Sequence, residues 1–313
     1  MFQSSVVSYG KNGRDNRYGR SSYRGNTDGG IVHDFLDFCE IKYKNKVKSC
    51  SDYMSGSFTT EDVCKERGIN GIFTDLSIGF NLLVNDIPDR PQTIFWHPPY
   101  SSVIGIPYAG SQWDDKEFIN KFGYDPKPYD LGRMDWEKFV KALNYCCLKQ
   151  FSALETGGRM GILMGDIRKK GKYYSMLLEI AKPGEVESIV IKRQNNTNSG
   201  YKNYGKKNFI PIEQEYFLIL RKDLPYILDF SFIQKVSLDI RNSKDATWKD
   251  VVLSVLEDIG KTASLNEIYE KIDGFEKAKK NAHWQEKVRQ TLQLLQKNQL
   301  VKNVSRGQWV CVA

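Results

Sequence analysis

Residues 93–100 read Thr93-Ile94-Phe95-Trp96-His97-Pro98-Pro99-Tyr100. A run of strand length ends in a polar residue, two prolines and an aromatic. Proline has no N–H and a fixed φ, so a sheet cannot continue through Pro98 and Pro99. The strand must stop there, with carbonyl oxygens facing a cleft at its carboxyl end. That is where open α/β sheets bind their ligands. The side chain of His97, those carbonyls and the flat ring of Tyr100 form a grip suited to a planar base with an exocyclic amine.

Outward from this corner, strand-length and helix-length segments alternate. Upstream, residues 47–52 lead into a turn over 54–59. Residues 59–68 read as a helix stopped by Gly68, and 71–76 as a short buried strand. Before them, a helix from Ile31 places Ile31, Phe35, Phe38 and Ile41 on one apolar face. Downstream, 134–151 form an amphipathic helix, and 157–167, 187–193 and 213–222 each hold an apolar run of strand length. The alternation predicts a doubly wound, Rossmann-like α/β sheet. Residues 1–30 read as an extended or loop-like arm, and 101–133 and 192–208 as long surface loops. The main domain is expected over 31–245 and a second, small α+β unit over 246–313. In that unit, helices at 247–260, 264–272 and 283–298 precede a hairpin around Arg306-Gly307, the pattern of a winged helix.

The bulk properties exclude some classes. The chain has 313 residues, 40% of them hydrophobic, and a net charge of +8, which favours an anionic partner. No stretch approaches the ~20 apolar residues of a membrane span, and the first residues hold no secretory apolar core. Cys39, Cys50, Cys64, Cys146, Cys147 and Cys311 form no C-x-x-C pair, and there are three histidines, so no metal is expected. Reduced thiols in a cytoplasmic protein are the expectation. No cysteine follows a proline, which argues against thiolate chemistry at cytosine C5.

The corner His97-Pro98-Pro99-Tyr100 resembles the (D/N/S)-P-P-(Y/F/W) motif of the amino-group DNA methyltransferases, which methylate adenine N6 or cytosine N4 with S-adenosylmethionine. Histidine departs from that motif's first position. The resemblance implies that His97 and the Pro98 carbonyl accept hydrogen bonds from the target amine while Tyr100 stacks on the base. An imidazole of ordinary pKa, about 6.5, also suits uptake of the released proton. The family's cofactor turn, D-P-F-x-G-S-G-T, is similar to Asp52-Tyr53-Met54-Ser55-Gly56-Ser57-Phe58-Thr59. Cofactor contacts are therefore implied for Asp52, Met54, Ser55, Gly56, Ser57 and Thr59. Asp75 is implied as the carboxylate on the ribose hydroxyls, and Arg24 and Asn26 stand where the cofactor pocket begins. Tyr53 replaces the motif's proline and Phe58 its second glycine. A phenylalanine at φ > 0 is strained by about 1–2 kcal/mol, and its ring either packs away from the pocket or blocks it.

A paired base cannot reach such a cleft, so the nucleotide must flip out of double-stranded DNA, at a cost of roughly a few kcal/mol. Phosphate contacts are expected from Lys192, Arg193, Lys202, Lys206 and Lys207, interleaved with Tyr201 and Tyr204, and from Arg168, Lys169, Lys170 and Lys172. Residues 101–133 emerge beside the corner and are the candidates for reading sequence. The tail is similar to the HARE-type winged-helix domains of DNA modification and restriction proteins, through residues 263–269, 283–292 and 307–309. In its third helix, Trp284, Val288, Leu292 and Leu295 are expected to face the core, leaving Lys287, Arg289 and Gln290 to a groove. The sequence thus points to transfer of a methyl group to a base amine, adenine N6 favoured over cytosine N4. The alternative is a DNA-binding regulator that keeps the fold without turnover.

Overall fold

A computed structural model describes residues 1–10, 17–20, 22, 23, 25–103, 107–194, 210–223 and 246–312, and the backbone course of 228–231 and 235–238. The chain divides into two compact units, one of residues 1–154 with 158–221, the other of 155–157 with 222–313.

The first unit is built on one sheet. Its strands in chain order are β1 (Val6–Ser8), β2 (Cys50–Ser51), β3 (Thr93–Trp96), β4 (Arg159–Lys169), β5 (Lys172–Ser175), β6 (Glu185–Arg193) and β7 (Gln214–Arg221). Across the sheet they run β1-β6-β7-β4-β3-β2, with β5 paired to β4 as a hairpin. The pairs β2–β3, β3–β4 and β1–β6 are parallel, whereas β7 is antiparallel to both neighbours. A doubly wound sheet, parallel except for β7 between β6 and β4 and the β5 hairpin strand, is a Rossmann-like arrangement.

Helices cover the sheet. They are α1 (Gly29–Tyr43), α2 (Thr59–Arg67), α3 (Asp115–Phe122), α4 (Trp136–Ala153) and the single turn α5 (Met176–Glu179). Asp28 caps α1, its side chain accepting from the Gly30 N–H, and Asp135 caps α4 by accepting from the Lys138 N–H. Gly68 ends α2 at φ 66°, as its sequence position requires. Phe35 of α1 packs edge-on against Phe217 of β7, whose ring stacks on Phe95 of β3. All three are fully buried, and burial of each such ring contributes roughly 1.5–3 kcal/mol.

Four local expectations change. In α1 the buried face is Ile31, Val32, Phe35, Leu36 and Cys39, and Ile41 is 57% exposed. The packed stripe follows i, i+4, i+8, and Ile41 lies beyond its edge. Residues 71–76 form no regular strand. They run beside β2 through isolated bridges, Ser49 with Asn70 and Asp52 with Phe73, because Gly71 must lie against the Cys50 carbonyl. Residues 101–133 are more than a loop. They hold α3 and two 3-10 turns, Lys127–Tyr129 and Leu131–Arg133, folded around Phe118, with Trp113, Phe122 and Tyr124 as ring neighbours. Finally, the N-terminal arm supplies β1, the edge strand on β6.

The second unit contains a two-stranded sheet of β8 (Leu228–Ser231) and β9 (Lys235–Leu238) and a winged helix. The latter comprises α6 (Trp248–Asp258), β10 (Thr262–Ser264), α7 (Leu265–Ile272), α8 (Glu276–Lys279), α9 (Trp284–Lys297), β11 (Val301–Ser305) and β12 (Gln308–Cys311). Strand order is β10-β12-β11. Capping boxes, Thr247 with Asp250 and Ser264 with Glu267, start α6 and α7. Val288, Leu292 and Leu295 of α9 are fully buried and Trp284 packs partly buried on the same core, as their spacing predicts. Among the described residues no helix is long and apolar enough to cross a membrane. All six cysteines are buried, and none forms a disulfide.

The closeness of Gly71 to β2 gives a test of how the turn after β2 is held. A Cβ at Gly71 would lie 1.7 Å from the Cys50 carbonyl oxygen, whereas one at Gly274 would meet nothing within 4 Å. Gly71→Ala is expected to lower stability by about 1–3 kcal/mol, and Gly274→Ala to change it by less than about 0.5 kcal/mol, in chemical denaturation. Equal midpoints for the two variants would refute this account of the edge.

Candidate active site

The sheet switches direction between β2 and β3. Residues 70–73 flank β2 on one side and β3 lies on the other, so the carboxyl ends of β2 and β3 open side by side into a crevice. One pocket occupies it, enclosing about 860 Å³ not filled by protein atoms, part of it open to solvent.

Both motifs line this pocket. From the turn after β2 come Asp52, Met54, Ser55, Gly56, Ser57 and Thr59, and from the segment after β3 come His97, Pro98, Pro99 and Tyr100. Asp75 lines it as well. The sequence placed these residues in two separate stretches, and the sheet brings them to one cavity. Asn26 is different. Its Oδ1 accepts from the Ser57 and Thr59 hydroxyls, the latter at 2.8 Å, and its Nδ2 donates to the Arg20 carbonyl at 2.7 Å. Asn26 therefore braces the turn and does not face the pocket, while its neighbours Gly25 and Thr27 do. Arg24 lies outside the described residues.

The two departures in the turn differ: Tyr53 lines the pocket and Phe58 does not. Phe58 has φ 67°, the left-handed region that favours glycine, so the expected strain of about 1–2 kcal/mol is present. Its ring does not line the pocket and lies instead beneath the Arg20 guanidinium, 4.8 Å from centroid to Cζ. The Tyr53 hydroxyl donates to Asp89, which also accepts from the Ser51 hydroxyl at 2.6 Å. Tyr53 thus forms wall, not plug.

Further walls carried no signal in sequence. Tyr23 and Tyr108 stack at 6.1 Å, and Tyr108, Trp113, Tyr129, Asp130 and Leu131 reach the pocket from residues 101–133. Asp130 holds that segment by accepting from the Tyr108, Ala109 and Gly132 N–H groups. Lys149 of α4 donates to the Leu82 and Asn85 carbonyls, pinning the turn that brings Asn81 and Leu82 to the pocket. Apart from Asp130 with Gly132, these contacts join residues distant in sequence, so periodicity does not give them.

The electrostatics are one-sided. Asp52, Asp75 and Asp130 line the pocket, and among the described residues no lysine or arginine does. Asp52 accepts from the Met54 N–H and the Thr60 hydroxyl. Burial nevertheless pushes its carboxyl up to about 7, and the nearby Asp75 adds to the shift. Asp75 caps a 3-10 turn by accepting from the Ser77 N–H and also accepts from the Gly56 N–H at 3.1 Å, tying the glycine turn to the neighbouring strand position. Such a site fits a small cation-bearing ligand with hydroxyls to satisfy, and it disfavours an anion.

At the other end, His97 Nδ1 and the Thr27 hydroxyl are 2.8 Å apart. Its Nε2 is buried, with no hydrogen-bond partner among the described residues. Burial lowers the imidazole below its ordinary pKa, so His97 is neutral at neutral pH. In the tautomer whose Nδ1–H donates to Thr27, Nε2 carries the lone pair.

The residues expected on DNA are spread more widely. Lys169 and Lys170 sit exposed at the tip of the β4–β5 hairpin with Arg168 and Lys172. Arg193 is exposed, whereas the Lys192 side chain turns inward to Glu215 and is 13% exposed. Lys202, Lys206 and Lys207, with Tyr201 and Tyr204, lie outside the described residues. Lys287, Arg289 and Gln290 are exposed on α9, Lys287 bonded to Gln290, and Arg289 to Glu286 and the Tyr269 hydroxyl.

The chain thus joins a Rossmann-like α/β unit to a winged helix. Comparison with known families assigns the second part: the model of the Dam-replacing HTH domain family (DpnI_C) matches residues 244–310. The HARE type expected from the sequence is not the family that matches. No curated protein matches the chain. Solved structures offer remote likenesses. A Thermus thermophilus protein assigned as a DNA modification methylase, with S-adenosylmethionine bound, is 17% identical over 57% of each chain, at a TM-score of 0.28. CalS10, an amino pentose methyltransferase from Micromonospora echinaspora, is 11% identical over 48% of this chain and 62% of its own, at 0.25. The methyltransferase subunit of a type I restriction-modification system from Streptococcus thermophilus is 11% identical over 83% of this chain and 55% of its own, at 0.33. The chain thus spans less than two thirds of the length of each of these three.

Asp52 supplies a prediction with a definite sign. Its folded pKa of about 7 lies above the ordinary 3.8, so the folded chain binds the extra proton. The stabilisation is complete below about pH 4 and is lost as pH rises to and through 7. The stability of the parent relative to Asp52→Asn is therefore expected to fall between those limits in denaturant titrations. A difference that stays flat or rises would contradict the burial of an uncompensated carboxyl.

Proposed function

We propose that this protein transfers a methyl group from S-adenosylmethionine to an exocyclic amine of a flipped DNA base, adenine N6 favoured over cytosine N4. The observation that carries the reading is one pocket with two unlike ends. The acidic glycine turn lies at one, and the neutral His97 with the diproline corner at the other. A sulfonium and an ammonium complement Asp52, while Asp75 and the pocket hydroxyls are placed for a ribose. When bound, S-adenosylmethionine would supply an electrophilic methyl group on its sulfonium for the amine to take up. The chain's own contribution is position. Pro98 and Pro99 fix the backbone, Tyr100 offers a face for the base, and His97 Nε2 accepts from the amine and directs its lone pair. Holding the partners in line supplies a large part of the rate.

The Dam-replacing HTH match over 244–310 supports duplex DNA as the partner. Lys287, Arg289 and Gln290 on α9 are the groove candidates. Lys169 and Lys170 extend from the first unit toward phosphates. The methyltransferase unit is taken as 1–154 with 158–221, not the 31–245 expected from the sequence, because the arm supplies β1, and the winged helix lies within the second unit. A DNA-binding regulator without turnover is the second reading, favoured by the strained Phe58 in the cofactor turn.

Two measurements test the reading. Calorimetry is expected to show S-adenosylmethionine binding that strengthens as pH rises through about 7, since a cationic ligand prefers ionised Asp52. Mass spectrometry of nucleosides from incubated DNA is expected to show N6-methyladenine, with His97→Ala keeping cofactor affinity but losing roughly 10²-fold or more in turnover. Unmodified DNA despite bound cofactor would favour the regulator. Equal turnover for parent and variant would remove His97 from the chemistry.

A further inference from the structure

Strand β7 carries a carboxylate just before an apolar run. Glu215 is 8% exposed and lies directly opposite Gly165 of β4 on one side and Lys192 of β6 on the other. Lys192 Nζ donates to Oε2 at 2.7 Å, and the Tyr100 hydroxyl donates to Oε1 at 3.3 Å. The same Oε1 stands 4.0 Å from His97 Nε2. Glycine at 165 makes room for this convergence, since a Cβ there would lie 2.7 Å from the Tyr100 hydroxyl oxygen. Removing two charges from water costs roughly several kcal/mol per ion before their attraction is counted. A buried pair beside a cleft is thus poorly explained by stability alone, and perturbed groups of this kind cluster at functional sites.

The surroundings of His97 are defined on every side that bears charge or a polar group. Thr27 fixes Nδ1. Glu215 faces Nε2 from β7, Lys192 stands behind it on β6, and Tyr100 lies edge-on to the imidazole at 6.1 Å. Burial lowers the imidazole pKa, Glu215 pushes it back up, and Lys192 lowers it. For Glu215, burial acts to raise the carboxyl, but Lys192 outweighs it and keeps it below its ordinary value, and His97 adds to this only when protonated.

We propose that Glu215, held by Lys192, is a positioning residue: it is the carboxylate that pairs with His97 when Nε2 takes up the proton released by the methylated amine. This rests on the amine-methylation reading above. Once the C–N bond has formed, the nitrogen carries a positive charge and one proton in excess. That N–H bond breaks toward Nε2, its electron pair staying on nitrogen to leave a neutral secondary amine. The imidazolium then faces the Glu215 carboxylate and later gives its proton to water. Without that carboxylate, the new cation would be buried close to the Lys192 ammonium.

The test reads His97 directly and needs neither cofactor nor DNA. The chain has three histidines, so NMR of ring-labelled histidine resolves His97 once His33→Gln and His283→Gln identify the other two. Glu215→Gln, which keeps the shape and removes the charge, is expected to lower the His97 pKa by roughly one unit, and Lys192→Met to raise it by a similar amount. The opposite signs separate this coupling from a loss of folding. Titrations unchanged in both variants would overturn the proposal. In the methylation assay, Glu215→Gln is expected to lose roughly 10-fold or more in kcat while cofactor affinity stays at the parent's value. A parental kcat and pH profile would likewise overturn it. Absence of methylation by the parent would sink the amine reading and its proton step, while the titrations would still report on the Glu215–His97 coupling by itself.

Discussion

The arrangement of the first unit depends on where β3 stops. Pro98 and Pro99 deny the next strand positions their N–H groups, so the chain leaves the sheet at His97, beside the point where it left at Asp52 after β2. Two strand ends that open together make a crevice, and each wall is then a local problem. Asp130 clamps residues 108–132, Lys149 pins the turn at 82–85, and Asn26 braces the hydroxyls of Ser57 and Thr59. These three side chains do little for one another. Each is satisfied because the strand ends already define the space between them.

Charge divides the crevice. The turn end holds carboxylates with no basic side chain on the described wall, and Asp52 bears the cost as a pKa near 7. At the corner end, the charged groups are set one layer back: Glu215 and Lys192 compensate each other beneath a neutral imidazole. A cation-bearing small molecule and an uncharged base amine are complementary to these two environments, in that order. The strained backbone at Phe58 is held in place by the turn it starts and by Arg20 over its ring. Strain of this kind gathers at ligand sites, where the surroundings over-determine the backbone.

The winged helix follows a different logic. Its core is read from one amphipathic stripe on α9 and two capping boxes, all of them local features. Its basic face on α9 is simply what the stripe leaves outside, so a groove-facing reading of Lys287 and Gln290 was available from the helix period alone.

What the sequence by itself determined was local: strand ends at prolines, the helix stop at Gly68, and the pairing of a glycine turn with a diproline corner. These depend on backbone dihedrals and missing donors, which a residue carries wherever it is placed. Residues 71–76 and 101–133 were misjudged because their conformations are imposed from outside, by the Cys50 carbonyl on Gly71 and by rings that gather around Phe118. Only the tertiary structure decided that Lys192 faces inward, that Asn26 braces instead of lining the pocket, and that Glu215 meets His97. Cross-strand neighbours are set by register between segments far apart in the chain, and no periodicity within a single segment encodes it.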